Sequence, residues 1–192
     1  MLPGLVDPVL GSQRIFRAVL DAMTHPGRVI TVPERPEPPA PLHPAATAIC
    51  LALVDMDTPL WLDAPARTPS VLGGLRFHCG CPIVEDPADA RFAVIIDAAR
   101  MPPLTMFAAG SDEYPDRSAT VLVQVAGLRA GAGKRLWGPG IPGERRLAVD
   151  GLPERFWGEL RDNHGRFPRG IDVVLVANEV IAALPRTTRV EA

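Results

Sequence analysis

Lysine is nearly absent from this sequence. The 20 basic residues comprise a single lysine, Lys134, and 19 arginines. A pyridoxal phosphate enzyme needs a lysine to form its Schiff base, and Lys134 lies in a predicted turn or strand start, a poor position for that role. We therefore expect no pyridoxal phosphate cofactor. The abundance of arginine, alanine and proline indicates a coding bias, so a lone arginine or proline carries little information.

Cysteine is also scarce. Cys50, Cys79 and Cys81 are an odd number, and they do not form the even framework of a disulfide-stabilised secreted protein, so we expect a reduced, cytoplasmic setting. Only one residue separates Cys79 from Cys81, whereas thioredoxin-type motifs have two. A structural zinc site commonly takes its four ligands from two pairs of residues, each pair with Cys-x2-Cys spacing, and this chain has no pair with that spacing. We therefore predict apolar packing of the thiols and no metal site.

Long apolar runs and blocks of one charge sign are missing too. The longest apolar run, residues 45–54, is about half the length that a membrane span needs. Residues 1–14 have neither the basic region nor the apolar stretch of a signal peptide. The formal charge is −2, with acidic and basic residues interspersed, whereas a nucleic-acid surface needs a basic face. The sequence thus predicts neither a membrane nor a nucleic acid as partner.

The chain does have the composition of a folded core, with 47% hydrophobic residues in 192, and this predicts one domain over residues 1–192. Hydrophobic periodicity predicts helices at 12–23, 45–54, 69–77 and 152–163, with a shorter one near 102–108. Strands are predicted at 28–32, 58–62, 91–97, 118–125, 134–138, 145–149 and 171–176, with 179–184 pairing back on the last. The fold class is therefore α/β: a layered single domain with a mixed central sheet flanked by helices, its middle strands forming a meander.

Two local patterns sharpen this prediction. Residues Thr68 and Pro69 are a suitable N-cap and first-turn proline for the third helix. In the first helix, the apolar residues expected to face the core are Ile15, Phe16, Val19, Leu20 and Met23.

Known catalytic motifs are missing or incomplete. The stretch "GLRAGAGKRL", residues 127–136, resembles a phosphate-binding loop, but it lacks the spacing of that motif, and Arg135 stands where a hydroxyl would hold magnesium. We interpret it as a hairpin turn between strands. The G-x-S-x-G motif of α/β-hydrolases is absent.

Basic and hydroxyl side chains in tight loops remain as candidates. Arginine forks and threonine hydroxyls suit phosphate or phosphonate oxygens, and glycine turns can present backbone amides to an anion. "GPGI" at 138–141 is such a turn. Arginines serve protein interfaces equally well, so these residues could contact either an anion or a partner. The candidates are Arg76, His78, Arg169, Arg186, Thr187 and Thr188.

Several of the same stretches resemble a known family. "DPVLGSQRIFRAVLDAMTHPG", "LALVDMDTPLWL", "LRFHCGCP", "SATVLVQVAGL", "GPGI", "FPRGIDVVLV" and "LPRTTRV" look, in this order, like the PhnH subunit of the bacterial carbon–phosphorus lyase system. The similarity runs from about residue 7 to residue 190. Within "LRFHCGCP" the matching residues are Arg76, Phe77, His78 and Pro82, and the family does not require the two cysteines.

This resemblance implies a role in phosphonate catabolism, in a cytoplasmic core complex with the PhnG, PhnI and PhnJ type subunits. It implies that the G, H, I and L components together replace the adenine of ATP by a phosphonate at ribose C1, giving a ribose 1-phosphonate 5-triphosphate. The iron–sulfur J subunit then cleaves the carbon–phosphorus bond. It further implies a fold resembling the large domain of pyridoxal phosphate transferases without the cofactor, and an ability to form homodimers.

The resemblance assigns no catalytic residue to this subunit, so the catalytic residues are unknown. A non-autonomous subunit with a nucleotide or phosphonate ligand is the expected function. Two alternatives stay open: a purely architectural subunit, and an independent enzyme that binds phosphate or phosphonate.

Overall fold

The structure is a computed structural model, described here for residues 3–191. The helices are α1 (Pro8–Thr24), α2 (Pro44–Leu53), α3 (Pro69–His78) and α4 (Arg155–His164). The strands are β1 (Ile30–Thr31), β2 (Leu60–Leu62), β3 (Ile83–Val84), β4 (Phe92–Ile95), β5 (Thr120–Gln124), β6 (Gly127–Gly138), β7 (Ile141–Asp150), β8 (Asp172–Ala177), β9 (Val180–Leu184) and β10 (Arg189–Val190).

Seven strands form the central sheet, in the order β1-β9-β8-β5-β4-β2-β3. The five strands from β8 to β3 are parallel, whereas β9 and β1 add to the sheet in the antiparallel sense. The predicted mixed α/β sheet is therefore confirmed. The hairpin of β8 and β9 is confirmed as well, and so is the N-cap at Thr68, whose hydroxyl accepts the N–H of Val71.

Helices and other segments cover both faces of this sheet. Alternate residues of a strand point to opposite faces, so Leu122 of β5 packs with α1, α2 and α3, whereas Val121 and Val123 pack with α4 and the second sheet. All three side chains are fully buried. Burying one aliphatic side chain of this size contributes about 1.5–3 kcal/mol, which makes β5 a main source of stability.

A second sheet, in the order β10-β6-β7, corrects two predictions. Residues 127–136 are not a hairpin turn but lie within β6, where Ala130 and Lys134 both pair with Leu147 and the residues between them bulge outward. The middle strands also form no continuous meander, because β5 lies between β4 and β8 in the central sheet. The hairpin turn is at 139–140, where a side chain on Gly140 would collide with the Thr24 carbonyl.

Short elements account for the other differences. The predicted strand 28–32 is reduced to Ile30–Thr31, and the segment near 102–108 contains one 3₁₀ turn, Leu104–Met106, instead of an α-helix. Strands β3 and β10 have two residues each and were not predicted. Two residues are too few for a hydrophobic period, so only pairing with a neighbouring strand defines such elements.

Helix α1 is confirmed, but its buried side is narrower than predicted. Ile15 and Val19 lie in the core, whereas Phe16 is 51% exposed and Leu20 is 48% exposed. The apolar stripe of this helix is thus wider than the surface that the sheet and α2 cover. Within residues 3–191, none of the helices has both the length and the apolar character needed to cross a lipid bilayer.

The three thiols lie in the core beneath α2 and α3, as expected for apolar packing. Cys50, Cys79 and Cys81 are free and buried, and the Cys79 thiol lies 3.6 Å from the Cys50 carbonyl. Burial raises the pKa of the Cys50 thiol, and it raises that of Cys79 to about 12. The described residues contain no cluster of histidine, cysteine and acidic side chains suited to a metal ion.

These raised pKa values predict a loss of stability at alkaline pH. Above the ordinary thiol pKa the unfolded chain releases protons that the folded chain retains, so the free energy of unfolding falls as pH rises, by up to about 1.4 kcal/mol per pH unit for each thiol. Urea unfolding at about pH 8 and about pH 10 should show a steeper fall for the native chain than for a Cys50→Ala, Cys79→Ala variant. Equal slopes would contradict the burial of the thiols.

Candidate functional site

A cleft opens at the carboxyl ends of β4, β5 and β8. Its volume is about 640 Å³, and it lies between the N-terminus of α2 and the residues that follow these strands. Its lining is mostly small and apolar, with four polar side chains from His43, Asp97, Gln124 and Asn178. In open α/β sheets, ligands bind at this edge, and a cleft of this size can hold a small organic molecule. We refer to it as the carboxyl-edge cleft.

The cleft begins where the strand order reverses. From β2 the chain adds β3 on one side, then returns to place β4 on the other side. The carboxylate of Asp63, which follows β2, accepts the N–H groups of Ile96 (2.9 Å) and Asp97 (3.0 Å), which follow β4. Burial raises the pKa of this carboxyl group. Asp63 therefore fixes the end of β4 at the topological switch point.

Hydrogen bonds to strand ends hold the opposite wall. The side chain of Gln124, at the end of β5, accepts the His43 N–H (2.5 Å) and donates to the Pro41 carbonyl (3.2 Å). His43 Nδ1 in turn accepts the backbone N–H of Asn178 (3.1 Å). Burial lowers the pKa of His43, so its imidazole is neutral near pH 7. The wall is thus fixed before any ligand arrives.

Two polar groups of the cleft are available to a ligand. The Oδ1 atom of Asp97 accepts the N–H of Arg100 (3.3 Å), but its Oδ2 atom has no hydrogen-bond partner among residues 3–191. The exposed side-chain amide of Asn178 likewise has none in the described chain. Asn178 adopts a φ of 54°, a left-handed conformation in which asparagine is favoured.

Arg186, one of the predicted site residues, lies at the other edge of the sheet. It follows β9 and forms an ion pair with Asp172, the first residue of β8, at 2.6 Å. Its guanidinium also donates to the Pro115 carbonyl (2.6 Å) and to Ser118 Oγ (2.5 Å). Its carbonyl lies 3.1 Å from His164 Nδ1. Arg186 therefore connects its own segment to three others near the amino ends of β5 and β8: residues 115–118, Asp172 and His164.

Three other predicted residues lie close to Arg186. Thr187 and Arg186 both line a shallow pocket of about 450 Å³. Thr188 is buried, and its Oγ1 atom finds no hydrogen-bond partner in the described part of the chain. Arg169 is exposed and pairs with Asp112 at 3.2 Å. A side chain at Gly170 would crowd the Cβ of Arg186, which shows how closely these two segments approach.

The remaining predicted residues, Arg76 and His78, form a separate group. Both are exposed in the last turn of α3, and the His78 ring packs edge to face against Phe77 with 4.9 Å between ring centroids. His78 also lines a groove of about 520 Å³ between α3 and the proline-rich segment that precedes α2. Strands β2 and β3 flank α3 in the sequence, and at least three strand spacings, roughly 14 Å, separate them from β8, whose first residue pairs with Arg186.

The sequence prediction thus gathered one group of four residues and one of two, and neither group lines the carboxyl-edge cleft. It missed the cleft itself, although a signal was present. Asp97, Gln124 and Asn178 are polar residues at or just after the ends of predicted buried strands. Polar residues at that position in a parallel sheet are typical of a ligand-binding edge.

Comparison with known proteins decides the family. The family model described as "Bacterial phosphonate metabolism protein (PhnH)" matches residues 3–191. The chain belongs to the PhnH family. The resemblance seen in the sequence is therefore confirmed.

Two relatives are similar over nearly the whole chain. One, from Rhizobium meliloti (strain 1021), is named "Alpha-D-ribose 1-methylphosphonate 5-triphosphate synthase subunit PhnH"; it is 40% identical over 185 residues, which cover 96% of this chain and 92% of the relative. The other, "Putative C-P lyase subunit protein HtxG" from Stutzerimonas stutzeri, is 31% identical over 179 residues, which cover 93% and 85%. Both relatives are named as subunits.

Proposed function

We propose that this chain is a non-autonomous subunit of the carbon–phosphorus lyase system. In this role it takes part in phosphonate catabolism, in the synthesis of ribose 1-phosphonate 5-triphosphate. The main support for this proposal is the match of residues 3–191 to the PhnH family model. In addition, one relative is named as a subunit of ribose 1-methylphosphonate 5-triphosphate synthase.

The charges of the carboxyl-edge cleft support a dependence on partners. The product in the relative's name carries a triphosphate and a phosphonate. Phosphate groups are usually bound by arginine, lysine or free backbone N–H groups, yet no arginine or lysine of the described chain lines this cleft. The guanidinium of Arg186 donates hydrogen bonds to Asp172, to the Pro115 carbonyl and to Ser118 Oγ, all within this chain. An anionic group placed in this cleft would therefore need cationic donors from outside its lining, either from another subunit or from another part of this chain.

The proposal extends to the partner subunits, the cofactor and the cellular compartment. The partners would be the PhnG, PhnI and PhnJ type subunits, with a homodimer as a further assembly, and the setting would be the cytoplasm. No pyridoxal phosphate would take part, since Lys134 lies beside the bulge of β6 and not at the carboxyl-edge cleft. The parallel centre of the sheet supports a likeness to the large domain of pyridoxal phosphate transferases. The single domain stays a prediction.

An architectural role is the second candidate, favoured by the internal contacts of Arg186. The ion pair and the side-chain hydrogen bonds of Arg186 are with residues of this chain, as expected for an arginine that stabilises the fold of an architectural subunit. Direct contact with an anionic ligand or with a partner is retained as a proposal for the six predicted residues. These are Arg76, His78, Arg169, Arg186, Thr187 and Thr188.

Reconstitution tests the proposed function. ATP and methylphosphonate are supplied to the purified G, I and L type components, with and without this chain, and the product is followed by ³¹P NMR. We expect ribose 1-methylphosphonate 5-triphosphate only when the chain is present, and none from the chain alone. Turnover by the isolated chain would instead support an independent enzyme, and equal product without the chain would contradict the proposal.

A further inference from the structure

The carboxyl-edge cleft is preorganised but differs in charge from a phosphate site. Asp97 is the one acidic residue that lines it, His43 is neutral near pH 7, and no cationic side chain of residues 3–191 is present in the lining. A group with several negative charges would meet a carboxylate there without a compensating cation. The lining therefore suits an uncharged ligand with hydroxyl and amide-like groups.

The N-terminus of α2 could still attract an anion, because unpaired N–H groups and the helix dipole favour negative charge there. The first backbone N–H groups at the start of α2 already have hydrogen-bond partners within the protein. The His43 N–H donates to Gln124, the Ala45 N–H donates to the carbonyl of Asn178 (3.0 Å), and Pro44 has no N–H. The protein's own oxygens thus cap this helix, and a phosphate would have to displace them.

Two groups remain for a ligand: Asp97 Oδ2 and the Asn178 side-chain amide. A carboxylate at this edge of an α/β sheet can accept hydrogen bonds from the hydroxyls of a ribose. An amide can donate to one edge atom of a base and accept from another. Ala98, Ala99 and Ala126 also line the cleft, and small apolar side chains of this kind suit contact with the face of a flat ring.

We propose that the carboxyl-edge cleft binds the uncharged nucleoside part of a nucleotide, its ribose and its base, and leaves the phosphates to other subunits. This inference rests on the proposed function for its choice of a ribose-containing ligand. Every residue in its argument belongs to this chain, so the isolated full-length chain should bind a nucleoside without partners.

The test uses adenosine as the probe, with isothermal titration calorimetry on the full-length chain. We expect saturable binding of adenosine, and no competition by inorganic tripolyphosphate. In an Ala126→Trp variant the indole should occupy the cleft and weaken binding by at least about tenfold. Ala132→Trp, on the exposed bulge of β6, is the matched control and should leave binding unchanged.

Two further measurements keep the test independent of folding defects. Asn178→Gly removes the side chain, and glycine tolerates the positive φ, so binding should weaken while the melting temperature is retained. The native chain should bind 2′,3′-dideoxyadenosine about tenfold more weakly than adenosine, and Asp97→Ala should abolish this difference. Absence of adenosine binding, or displacement of adenosine by tripolyphosphate, would overturn the inference.

These outcomes are separable from those of the reconstitution. If product formation depends on the chain but adenosine does not bind, the nucleoside site is wrong and the subunit function stands. If adenosine binds in the cleft but the chain is dispensable for product formation, the subunit function is wrong and the nucleoside site stands.

Discussion

Replacing Arg186 by alanine is expected to lower the free energy of unfolding by about 3 kcal/mol, because it leaves the partly buried carboxylate of Asp172 without its cation. The side chains of Arg186 and Asp172 are only 14% and 16% exposed. The Pro115 carbonyl and the Ser118 hydroxyl lose their donors as well. For a chain of this length, the melting temperature should fall by roughly 6–12 °C.

Arg189 is the matched control for this prediction. It lies three residues further along and is exposed, and its side chain makes one hydrogen bond to the residues that the structure describes, from Nε to His164 Nε2 at 3.2 Å. Arg189→Ala should change the free energy of unfolding by no more than about 0.5 kcal/mol. Calorimetric melting of both variants is the measurement. An Arg186→Ala protein that melts like the native chain but no longer binds inorganic phosphate would show that the arginine serves an anion instead of the fold.

The second large effect concerns the exposed side of α1, formed by Val9, Phe16 and Leu20, which we name the α1 outer face. Replacing Phe16 and Leu20 by glutamate should weaken copurification with partner subunits more than about thirtyfold, because two carboxylates would enter an apolar interface. Val9 is 77% exposed on this face. Exposed Arg17 has no ion-pair partner within the described residues, so we expect an apolar partner surface with an acidic rim.

The fold of this double variant should persist, since both side chains are about half exposed. A Met56→Glu, Met106→Glu double variant places the same two charges at exposed apolar positions outside α1, and this control should copurify as the native chain does. Pull-down with a tagged PhnI-type subunit is the measurement. Unchanged copurification of the α1 double variant would contradict the prediction, as would loss of a homodimer alone, which would assign the face to a second copy of the chain.

The sequence predicted the α/β class because its longer elements have clear periods. Helix α2 is apolar nearly all round and is buried, and the capping pair Thr68 and Pro69 begins α3 as expected. The stretch "GLRAGAGKRL" was misinterpreted for a physical reason. Glycines with positive φ occur both in hairpin turns and in bulges, and only the pairing of Ala130 and Lys134 with Leu147 distinguishes the two.

Site prediction was limited by a different cause. Arg186 and Thr188 stood out as residue types that bind anions, but their long-range surroundings, an ion pair with Asp172 and complete burial, are not visible in the sequence. The carboxyl-edge cleft depends on which strand ends lie side by side. The order β8-β5-β4-β2 brings Asn178, Gln124 and Asp97 to one edge, and that order is a property of the tertiary fold.

We expect this PhnH-family chain to work only as part of an assembly. Native mass spectrometry tests this expectation most directly, on the chain expressed together with the PhnG, PhnI and PhnJ type subunits, with and without ATP and methylphosphonate. We predict an assembly whose mass includes this chain, and none of the chain remaining alone when its partners are in excess. A chain that stays outside the assembly under these conditions, with or without the ligands, would contradict the account.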